Sequence, residues 1–246
     1  YIVGKNDEGT ILVDEFTSVV DRDVAKSMSF SLQKYIRREN KKIVLASVHY
    51  DIVDWLLPDW VYNLQNEGAL ERGECLRRSR PKISLQIHRA EYDTWKLFKD
   101  HHYLTEKVNK ACKFFLFTWD DRPVGINAVI PQPSGYFDNG VRGSRLVVLP
   151  EFQGLGFGAV MADTTAGIFK SEDYRYFTKT IHPALGEYRE KSDNWKQTSK
   201  HGRKVRKGQH FGSWDILTRK SYCHEYIGDP IDGYSELLKP VDEMRK

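Results

Sequence analysis

Apolar and polar positions along this chain follow two periods, which predict a protein of alternating strands and helices. Thr10–Val13 and residues 42–47 are short apolar runs between polar residues, as is typical of buried strands. Residues 23–39 lie between them and carry apolar side chains at helical spacing. A strand, a helix and a second strand in succession favour parallel pairing of the two strands.

A second series of elements begins near residue 83. Alternation of Ile83, Leu85 and Ile87 predicts a strand, and the spacing over residues 92–102 predicts a helix. The remaining predicted elements are a hairpin of residues 113–119 and 123–130, and strands at residues 146–149, 174–180 and 213–218.

Composition changes between residues 67 and 82, where polar, basic and glycine residues replace the apolar periodicity. We interpret this stretch as a linker between a first segment, residues 1–66, and a second domain, residues 83–228. Residues 229–246 are predicted to form a polar tail. The predicted fold class is α/β (α+β), with a mixed twisted sheet flanked by helices in the second domain.

The length of the chain limits the number of domains, and its cysteines indicate the kind of compartment in which it works. The 246 residues are 40% hydrophobic, enough for one large domain or two small ones with a packed core. No apolar run approaches the ~18 residues that a membrane span needs. Cys75, Cys112 and Cys223 have neither metal nor disulfide spacing, so we expect a reducing, cytoplasmic setting and no metal. The net charge of +4 does not by itself indicate nucleic acid.

A glycine-rich turn follows the predicted strand at 146–149. Gly154, Gly156 and Gly158 open a predicted helix over residues 156–170, whose apolar stripe is Phe157, Val160, Met161, Thr164 and Ile168. Such a turn presents backbone N–H groups and the positive end of the helix dipole to one point, which favours phosphate binding. The alternative is a strand-to-helix turn that binds no ligand.

The spacing Gln153-x-x-Gly156-x-Gly158 fits neither the dinucleotide fingerprint nor the P-loop. It resembles the pyrophosphate loop of the GNAT superfamily, whose members bind acetyl-coenzyme A. The resemblance implies a GNAT-like sheet and acetyl-CoA as co-substrate, with the pantetheine arm against the backbone of the strand and the phosphates at the loop. The implied cofactor-binding residues are Leu146, Val147, Val148, Gln153, Gly154, Leu155, Gly156, Phe157 and Gly158.

Candidate catalytic residues follow from the same resemblance. In this superfamily the next strand, here residues 174–180, splays away to open a V-shaped cleft. A Tyr on the following helix often protonates the leaving thiolate, and Tyr188 matches it. His182-Pro183 stands where the family usually has Asn. A surface or packing role for Tyr188 is an equal alternative.

The reaction also needs a way to remove the proton of the amine. His101 and His102 end the predicted helix at 92–102, a region that contributes to the acceptor pocket in the superfamily. An unperturbed pKa near 6.5 suits histidine to this role. The alternative is a favourable interaction with the helix dipole. Glu151 and His182 are weaker candidates.

The first segment carries a different set of polar residues. Asp14 and Glu15 end its first strand, Ser18 and Asp21 follow, and His49 ends its second strand. A carboxylate pair at a strand end can hold magnesium and orient an attacking water. The order resembles the second half of an ABC-type ATPase, in which these residues match the Walker B pair, the D-loop and the switch histidine.

The phosphate-binding half of such an ATPase has no counterpart, since neither G-x-x-x-x-G-K-[ST] nor a signature motif occurs. The chain is then the C-terminal part of a longer ATPase fusion, or the segment is a degenerate remnant. The absence of an initial Met is consistent with a fragment or processed product. We expect no ATP hydrolysis by this chain alone, and Mg-ATP as a ligand only in a longer chain. Asp14 and Glu15 are otherwise a polar strand end without a role.

A run of basic residues indicates which kinds of ligand or partner the chain could bind. Residues 196–207 carry six Lys and Arg side chains, which suit the 3′-phosphate of coenzyme A or a nucleic-acid backbone. A solvated loop is the other interpretation. The nearby aromatic residues, which suit either base stacking or a core strand, are Trp195, His210, Phe211 and Trp214.

The two resemblances together imply an acetyl-CoA-dependent N-acyltransferase domain joined to the tail of an ABC-type ATPase, a pattern that resembles a group of prokaryotic and phage fusion proteins. Transfer would pass directly from thioester to an acceptor amine that the sequence does not identify. Two alternatives remain. One is a GNAT-fold enzyme that modifies DNA bases, because the block His101-His102-Tyr103 resembles the phage Mom proteins. The other is a non-catalytic module that binds coenzyme A or nucleic acid.

Overall fold

The computed structural model describes residues 9–64, 69–72 (backbone only), 83–103, 105–132, 134–198 and 221–240. The chain divides into two compact units. The first comprises residues 1–83 together with 151–155, and the second comprises residues 84–150 and 156–246. No helix among the described residues has the length and apolar character that a membrane crossing requires.

A parallel strand pair forms the centre of the first unit. β1 (Thr10–Val13) pairs with β2 (Lys42–Leu45), and α1 (Arg22–Glu39) connects them, as the sequence predicts. α1 begins at Asp21, whose carboxylate accepts hydrogen bonds from the backbone N–H groups of Asp23 and Val24 at 2.9 and 3.0 Å. This N-cap satisfies donors that the first turn leaves without helical partners.

The rest of the first unit is a short helix and an antiparallel pair. α2 (Ile52–Leu56) leads to β3 (Trp60–Asn63), which pairs with β4 (Ala69–Arg72). β4 therefore lies within the predicted linker at 67–82. Four residues are too few to show an alternating pattern, and the strand is defined by its partner rather than by its own sequence.

The second unit is a mixed seven-stranded sheet. Among the described residues the strand order is β10-β11-β9-β8-β7-β6-β5, with β8 and β9 parallel and the other neighbours antiparallel. The elements are β5 (Gln86–Ala90), β6 (Lys113–Trp119), β7 (Arg122–Pro131), β8 (Gly140–Val148), α3 (Phe157–Ser171), β9 (Arg175–Thr180), α4 (Pro183–Lys191), β10 (Trp195–Gln197) and β11 (Tyr222–Tyr226). A mixed sheet flanked by helices confirms the predicted fold class.

The predicted hairpin joins β6 to β7 through a tight turn. Asp120 and Asp121 both have positive φ, at 48° and 61°. Two successive residues of this kind twist a two-residue turn in the sense that antiparallel strands require, and aspartate tolerates the conformation better than most residues.

Helices cover both faces of the sheet. On one face Phe169 of α3 packs edge-on against Phe115 of β6, with ring centres 5.7 Å apart. On the other face Trp95 and Phe98, both buried, pack with Ile126 of β7. The predicted helix at 92–102 is instead two 3₁₀ helices, Tyr92–Leu97 and Lys99–His101. A spacing of three between Trp95 and Phe98 matches the 3₁₀ turn, which aligns them toward the sheet.

α3 is rotated relative to its predicted apolar stripe. Phe157, Met161 and Ile168 are buried, but Val160 is 52% exposed. The buried side also includes Thr165 and Ala166, small residues that allow the helix to lie close to the sheet. Volume at the interface, and not hydrophobicity alone, decides which side of this helix faces inward.

Residues 229–240 are not a free polar tail. Ile231 N–H donates to Gly167 O at 3.0 Å, and a β-carbon at Gly167 would lie 2.7 Å from the Ile231 side chain. A 3₁₀ turn, Ser235–Leu238, buries Leu238, whose carbonyl accepts a hydrogen bond from the Lys113 ammonium. These hydrogen bonds and the burial of Leu238 fix the segment to the sheet domain.

Candidate active site

β8 forms the centre of the candidate site, and its pairing changes along its length. Opposite β7, Arg145 pairs with Ala128 but Gly143 pairs with Val129, so Ser144 is an extra residue in the strand. This β-bulge changes the alternation of side chains. As a result Arg142 and Arg145, which a regular strand would point to opposite faces, lie on the same face.

The β8–β9 ladder ends halfway along β8. It covers Gly140 to Gly143 of β8 and Arg175 to Thr178 of β9, although both strands continue beyond these residues. The strands therefore diverge after Gly143 and Thr178. This is the divergence that the resemblance implies, and it places Leu146, Val147 and Val148 on the diverging half of β8.

The glycine turn has the geometry that its sequence predicts. A 3₁₀ turn, Pro150–Phe152, leads to Gly154 and Gly156, which have φ of +85° and +90°. Residues that carry a side chain rarely adopt such positive φ values, so the backbone conformation itself favours glycine at both positions. Gly156 is the N-cap of α3 and contributes no side-chain acceptor. The first N–H groups of α3 therefore depend on something other than a capping side chain.

The remaining residues of this loop divide by role. Phe157 is buried, with its ring 5.7 Å from that of Trp119, and Val147 is also buried, so both offer only backbone atoms to a ligand. Gln153 is exposed and Leu155 is half-buried. A β-carbon on Gly158 would approach protein atoms no closer than 3.7 Å, so packing alone does not demand glycine there. Helix-start N–H groups beside side-chain-free positions fit a pyrophosphate.

Tyr188 lies on α4, where its hydroxyl donates a 2.6 Å hydrogen bond to Oδ2 of Asp163 on α3. The other oxygen of Asp163 accepts from the indole N–H of Trp195 at 2.8 Å. Burial, and then the neighbouring Asp163 carboxylate, raise the pKa of Tyr188 to about 12. The phenol therefore keeps its proton throughout the physiological pH range.

A buried cation lies next to Tyr188. Arg189 is only 3% exposed, its guanidinium lies 4.7 Å from the centre of the Trp195 ring, and it donates to Thr178 at 2.9 Å. Burial lowers the pKa of Arg189 to about 10, while nearby Tyr176 and Asp163 oppose the shift. Sequence reasoning missed both Asp163 and Arg189, because only tertiary contacts distinguish them from ordinary helix-surface charges.

Of the two histidines predicted for the acceptor side, His102 lies beside a tyrosine, Tyr103, which also lies near His182. His101 is exposed at the end of its 3₁₀ helix, whereas His102 is half-buried with Nδ1 3.1 Å from Thr105 O. Burial, and then the charge of Arg145, lower the pKa of His102. The ring of Tyr103 lies 5.0 Å from that of His102 and 6.3 Å from that of His182. His182 and Tyr103 thus connect this loop to the start of α4.

His182 takes the position of the expected Asn at the start of α4. It is the N-cap residue, and its Nδ1 accepts from Leu185 N–H at 3.5 Å. Pro183 follows at the first helical position, where a missing N–H has no cost. The departure from the usual Asn therefore changes the capping group and keeps the helix that carries Tyr188. Glu151 lies in the 3₁₀ turn before the glycines.

The residues that the sequence matched to ATPase motifs follow the two parallel strands of the first unit. Asp14 and Glu15 are exposed beyond β1, and the Asp14 carboxylate accepts from Glu15 N–H at 2.9 Å. Ser18 N–H donates to Glu15 O at 3.0 Å, Asp21 caps α1, and His49 N–H donates to Ser47 Oγ at 3.1 Å. These bonds stabilise turns, and Asp21 has a structural role as a cap.

Most of the basic run lies outside the described residues. Only residues 196–198 of the run 196–207 are described, and the predicted strand at 213–218 with His210, Phe211 and Trp214 is not. Trp195 is buried 5.1 Å from the ring of Tyr226 and belongs to the core.

The chain is similar in fold to solved GNAT-family acetyltransferases. One is an IAA acetyltransferase from Bacillus cereus, with 11% identity, 58% of this chain and 99% of that chain covered, and a TM-score of 0.44. Another is a GNAT family acetyltransferase from Elizabethkingia anophelis with acetyl-CoA bound, with 14% identity, 59% and 99% covered, and a TM-score of 0.42.

A third is the ribosomal-protein-S18-alanine N-acetyltransferase from Escherichia coli, with 11% identity, 61% and 97% covered, and a TM-score of 0.43. No family model and no curated protein matches the chain. At these identities and TM-scores neither activity nor ligand carries over from those proteins to this chain.

Proposed function

We propose that residues 83–228 form an acetyl-CoA-dependent N-acyltransferase that transfers an acetyl group directly to an acceptor amine. The observation that supports it most is the combination of a parallel ladder that ends at Gly143 with a glycine turn that begins α3. The first leaves a strand edge beside a cleft, and the second supplies N–H donors and a helix dipole at one end of it.

Leu146, Val147 and Val148 would hold the pantetheine arm through their backbone, and residues 153–158 would hold the phosphates. When bound, the coenzyme supplies an activated acetyl thioester. Tyr188 holds a proton on Oη at every physiological pH. The lowered pKa of His102 favours the neutral imidazole that can accept a proton from the amine, so His102 is the candidate base ahead of exposed His101.

Direct transfer needs no nucleophilic side chain. Cys112 lies beside the bulge, hydrogen-bonded to Ser144, but it is buried and burial raises the pKa of its thiol. A neutral, buried thiol is a poor nucleophile, because the thiolate is the reactive form. This argues against Cys112 as the site of a covalent acyl-enzyme.

Calorimetry with acetyl-CoA tests the proposal. Gly156→Asp adds a side chain and negative charge at the helix start, and we expect it to abolish binding. Gly233→Asp is the matched control, because Gly233 has a similar φ of +86° and no atom within 4 Å of its β-carbon position. Absence of binding to the unmodified chain would reduce the glycine turn to a structural element. Binding without transfer to any amine would favour the non-catalytic module.

A nucleobase acceptor is the second candidate. The neighbouring rings of Tyr103 and His182, with Tyr103 51% exposed, offer an aromatic surface that suits an extruded base. Residues 196–207 would add contacts to the nucleic-acid backbone. Acetyl transfer to single-stranded DNA that is lost in Tyr103→Ala, with transfer to free amines retained, would support this candidate over a small-molecule or protein acceptor.

For the first unit we propose descent from an ABC-type ATPase, with residues 1–66 as the ATPase-derived part and 83–228 as the acyltransferase. The order of these residues supports this, because Asp14 and Glu15 directly follow β1 and His49 follows β2, beyond the carboxyl ends of two parallel strands. Without a phosphate-binding loop we expect no hydrolysis of Mg-ATP by this chain. Turnover that disappears in Glu15→Gln would contradict that expectation.

A further inference from the structure

One carboxylate connects three elements around Tyr188. Asp163 lies on α3, and its two oxygens accept from two different elements: Oδ2 from the hydroxyl of Tyr188 on α4 at 2.6 Å, and Oδ1 from the indole N–H of Trp195 on β10 at 2.8 Å. The side chain is thereby held in one orientation. A short hydrogen bond to a carboxylate is also among the strongest that a phenol makes.

Buried groups around this carboxylate make the arrangement rigid. Trp195 is 5% exposed and Arg189 is 3% exposed, and the guanidinium of Arg189 stacks on the Trp195 ring while donating to Thr178. Arg189 is the nearby cation whose charge interacts with Asp163. This buried network therefore fixes the Asp163 carboxylate as the acceptor for the hydroxyl of Tyr188, whose side chain is itself 36% exposed.

A phenol has one proton and can donate it to one acceptor at a time. While the Tyr188 hydroxyl donates to Asp163, it cannot protonate a sulfur atom in the cleft. We propose that Asp163 is a positioning residue that holds the Tyr188 hydroxyl proton, so that Tyr188 acts as a proton donor only after a ligand in the cleft draws the hydroxyl away. This inference rests on the proposed acyltransferase function and adds a residue to its site.

The proton balance of the donating step is simple. The O–H bond of Tyr188 breaks, an S–H bond forms on the leaving thiolate, and the phenolate that remains recovers a proton from water. A phenolate beside the Asp163 carboxylate is unfavourable because both are anionic. Asp163 therefore opposes early release of the proton and favours its rapid recovery.

The decisive test compares Asp163→Asn with the unmodified protein and with Asp173→Asn. Asp173 is an exposed aspartate just beyond α3 with positive φ, a conformation that Asn accepts. The ionisation of Tyr188 is followed by NMR of tyrosine ring carbons, assigned by comparison with Tyr188→Phe. The Tyr188 midpoint is the pH at which half of its hydroxyl groups are ionised. We expect it to fall from about 12 toward 10 in Asp163→Asn, without reaching 10 because burial also raises the pKa of Tyr188. Asp173→Asn should leave it unchanged.

Kinetics supply the second readout. In Asp163→Asn the alkaline limb of the pH profile of kcat should move to lower pH together with the Tyr188 midpoint. The Kd for acetyl-CoA should change less than about threefold, because Asp163 acts on the transfer step and not on binding of the coenzyme. Asp163→Glu should restore part of the shift. An unchanged Tyr188 midpoint in Asp163→Asn would overturn the proposal, and so would a shifted midpoint with an unshifted kcat profile.

Two further measurements keep the test decisive. If Asp163→Asn does not fold, Trp195→Phe removes the donor to the other carboxylate oxygen and leaves the Tyr188 bond, so the Tyr188 midpoint should stay high. A midpoint near 10 in the unmodified protein overturns the proposal without any variant. Failure of acetyl-CoA to bind, with the Tyr188 midpoint still high, would instead reject the acyltransferase assignment and with it the positioning role in that chemistry.

Discussion

The hydroxyl of Tyr176 lies directly above Gly143, only 2.9 Å from the point that a β-carbon on Gly143 would occupy. Tyr176 is buried, and Asn127 Nδ2 donates to its hydroxyl at 3.3 Å. Gly143 is also the last residue of β8 in the ladder with β9. The absence of a side chain at this position thus gives room to a tyrosine where the two strands separate.

Gly143→Ala should destabilise the protein by about 1–3 kcal/mol, because the buried Tyr176 ring cannot easily move away from the added methyl group. Tyr176→Phe removes the hydroxyl, and the nearest remaining ring atom would be 3.6 Å away. In that background the alanine should cost less than about 1 kcal/mol. Denaturant unfolding of the two single variants and the double variant measures this coupling; additive effects would show that the two residues do not restrict each other.

Two glycines of the turn should respond to alanine in opposite ways. Gly156→Ala should lower stability by about 1–2 kcal/mol, since its φ of +90° is strained for any L-residue. Gly158→Ala, in the first turn of α3 with ordinary contacts, should raise stability by about 0.5–1 kcal/mol. Its methyl group should nevertheless weaken acetyl-CoA binding. Thermal unfolding would then show a gain in stability, while calorimetry would show a loss of affinity for acetyl-CoA. An equal loss of stability in both variants would contradict the difference in backbone conformation between Gly156 and Gly158.

The β6–β7 turn offers a local test of the hairpin geometry. Asp121→Gly should be neutral or stabilise the protein by up to about 0.5 kcal/mol. Glycine accepts a φ of 61° without strain, but it loses more conformational entropy on folding, and the two effects oppose each other. Asp121→Val, with a β-branched side chain, should destabilise it by about 1–2 kcal/mol. Chemical denaturation of the two variants measures both effects, and a stabilising valine would mean that the turn adopts another conformation in solution.

Tyr188 should make stability depend on pH in the alkaline range. Its pKa is about 12 in the folded chain and about 10 when unfolded. Between these values the unfolded chain has lost the proton and the folded chain has kept it, so stability that is fully present below pH 10 is lost as pH rises through 12. In Tyr188→Phe this part of the decrease should be missing. Urea unfolding at pH 9, 10 and 11 compares the two proteins, and parallel curves would place Tyr188 in an ordinary environment.

Local patterns were sufficient for the elements whose reasons are local. The apolar runs of β1 and β2 predicted a parallel pair, and Gly154 and Gly156 predicted the turn whose positive φ values they adopt. The segment at 92–102 was mistaken for an α-helix, because Trp95 and Phe98 suit both helical periods and only packing on the sheet selects the tighter one.

Residues defined by partners far away in sequence could not be found in this way. No local pattern distinguishes Asp163, and its role depends on donors 25 and 32 residues away. Ile231 and Leu238 occur among polar residues, so only the surface of α3 and β6 reveals that residues 229–240 are packed. Long-range contacts of this kind override local propensity.

The bulge at Ser144 constrains how this chain can change its length during evolution. Deleting Ser144 would restore regular alternation along β8 and leave every other pairing with β7 unchanged, with Arg142 and Arg145 still on one face. Deleting a residue between Arg145 and Val148 would instead exchange the faces of everything before it, so that Arg142 would point toward the side that Gly143 now occupies beneath Tyr176. Loss of a single residue within β8 is therefore expected at the bulge, and a family of homologues would show one-residue gaps at position 144 and loops of variable length at either end of the strand.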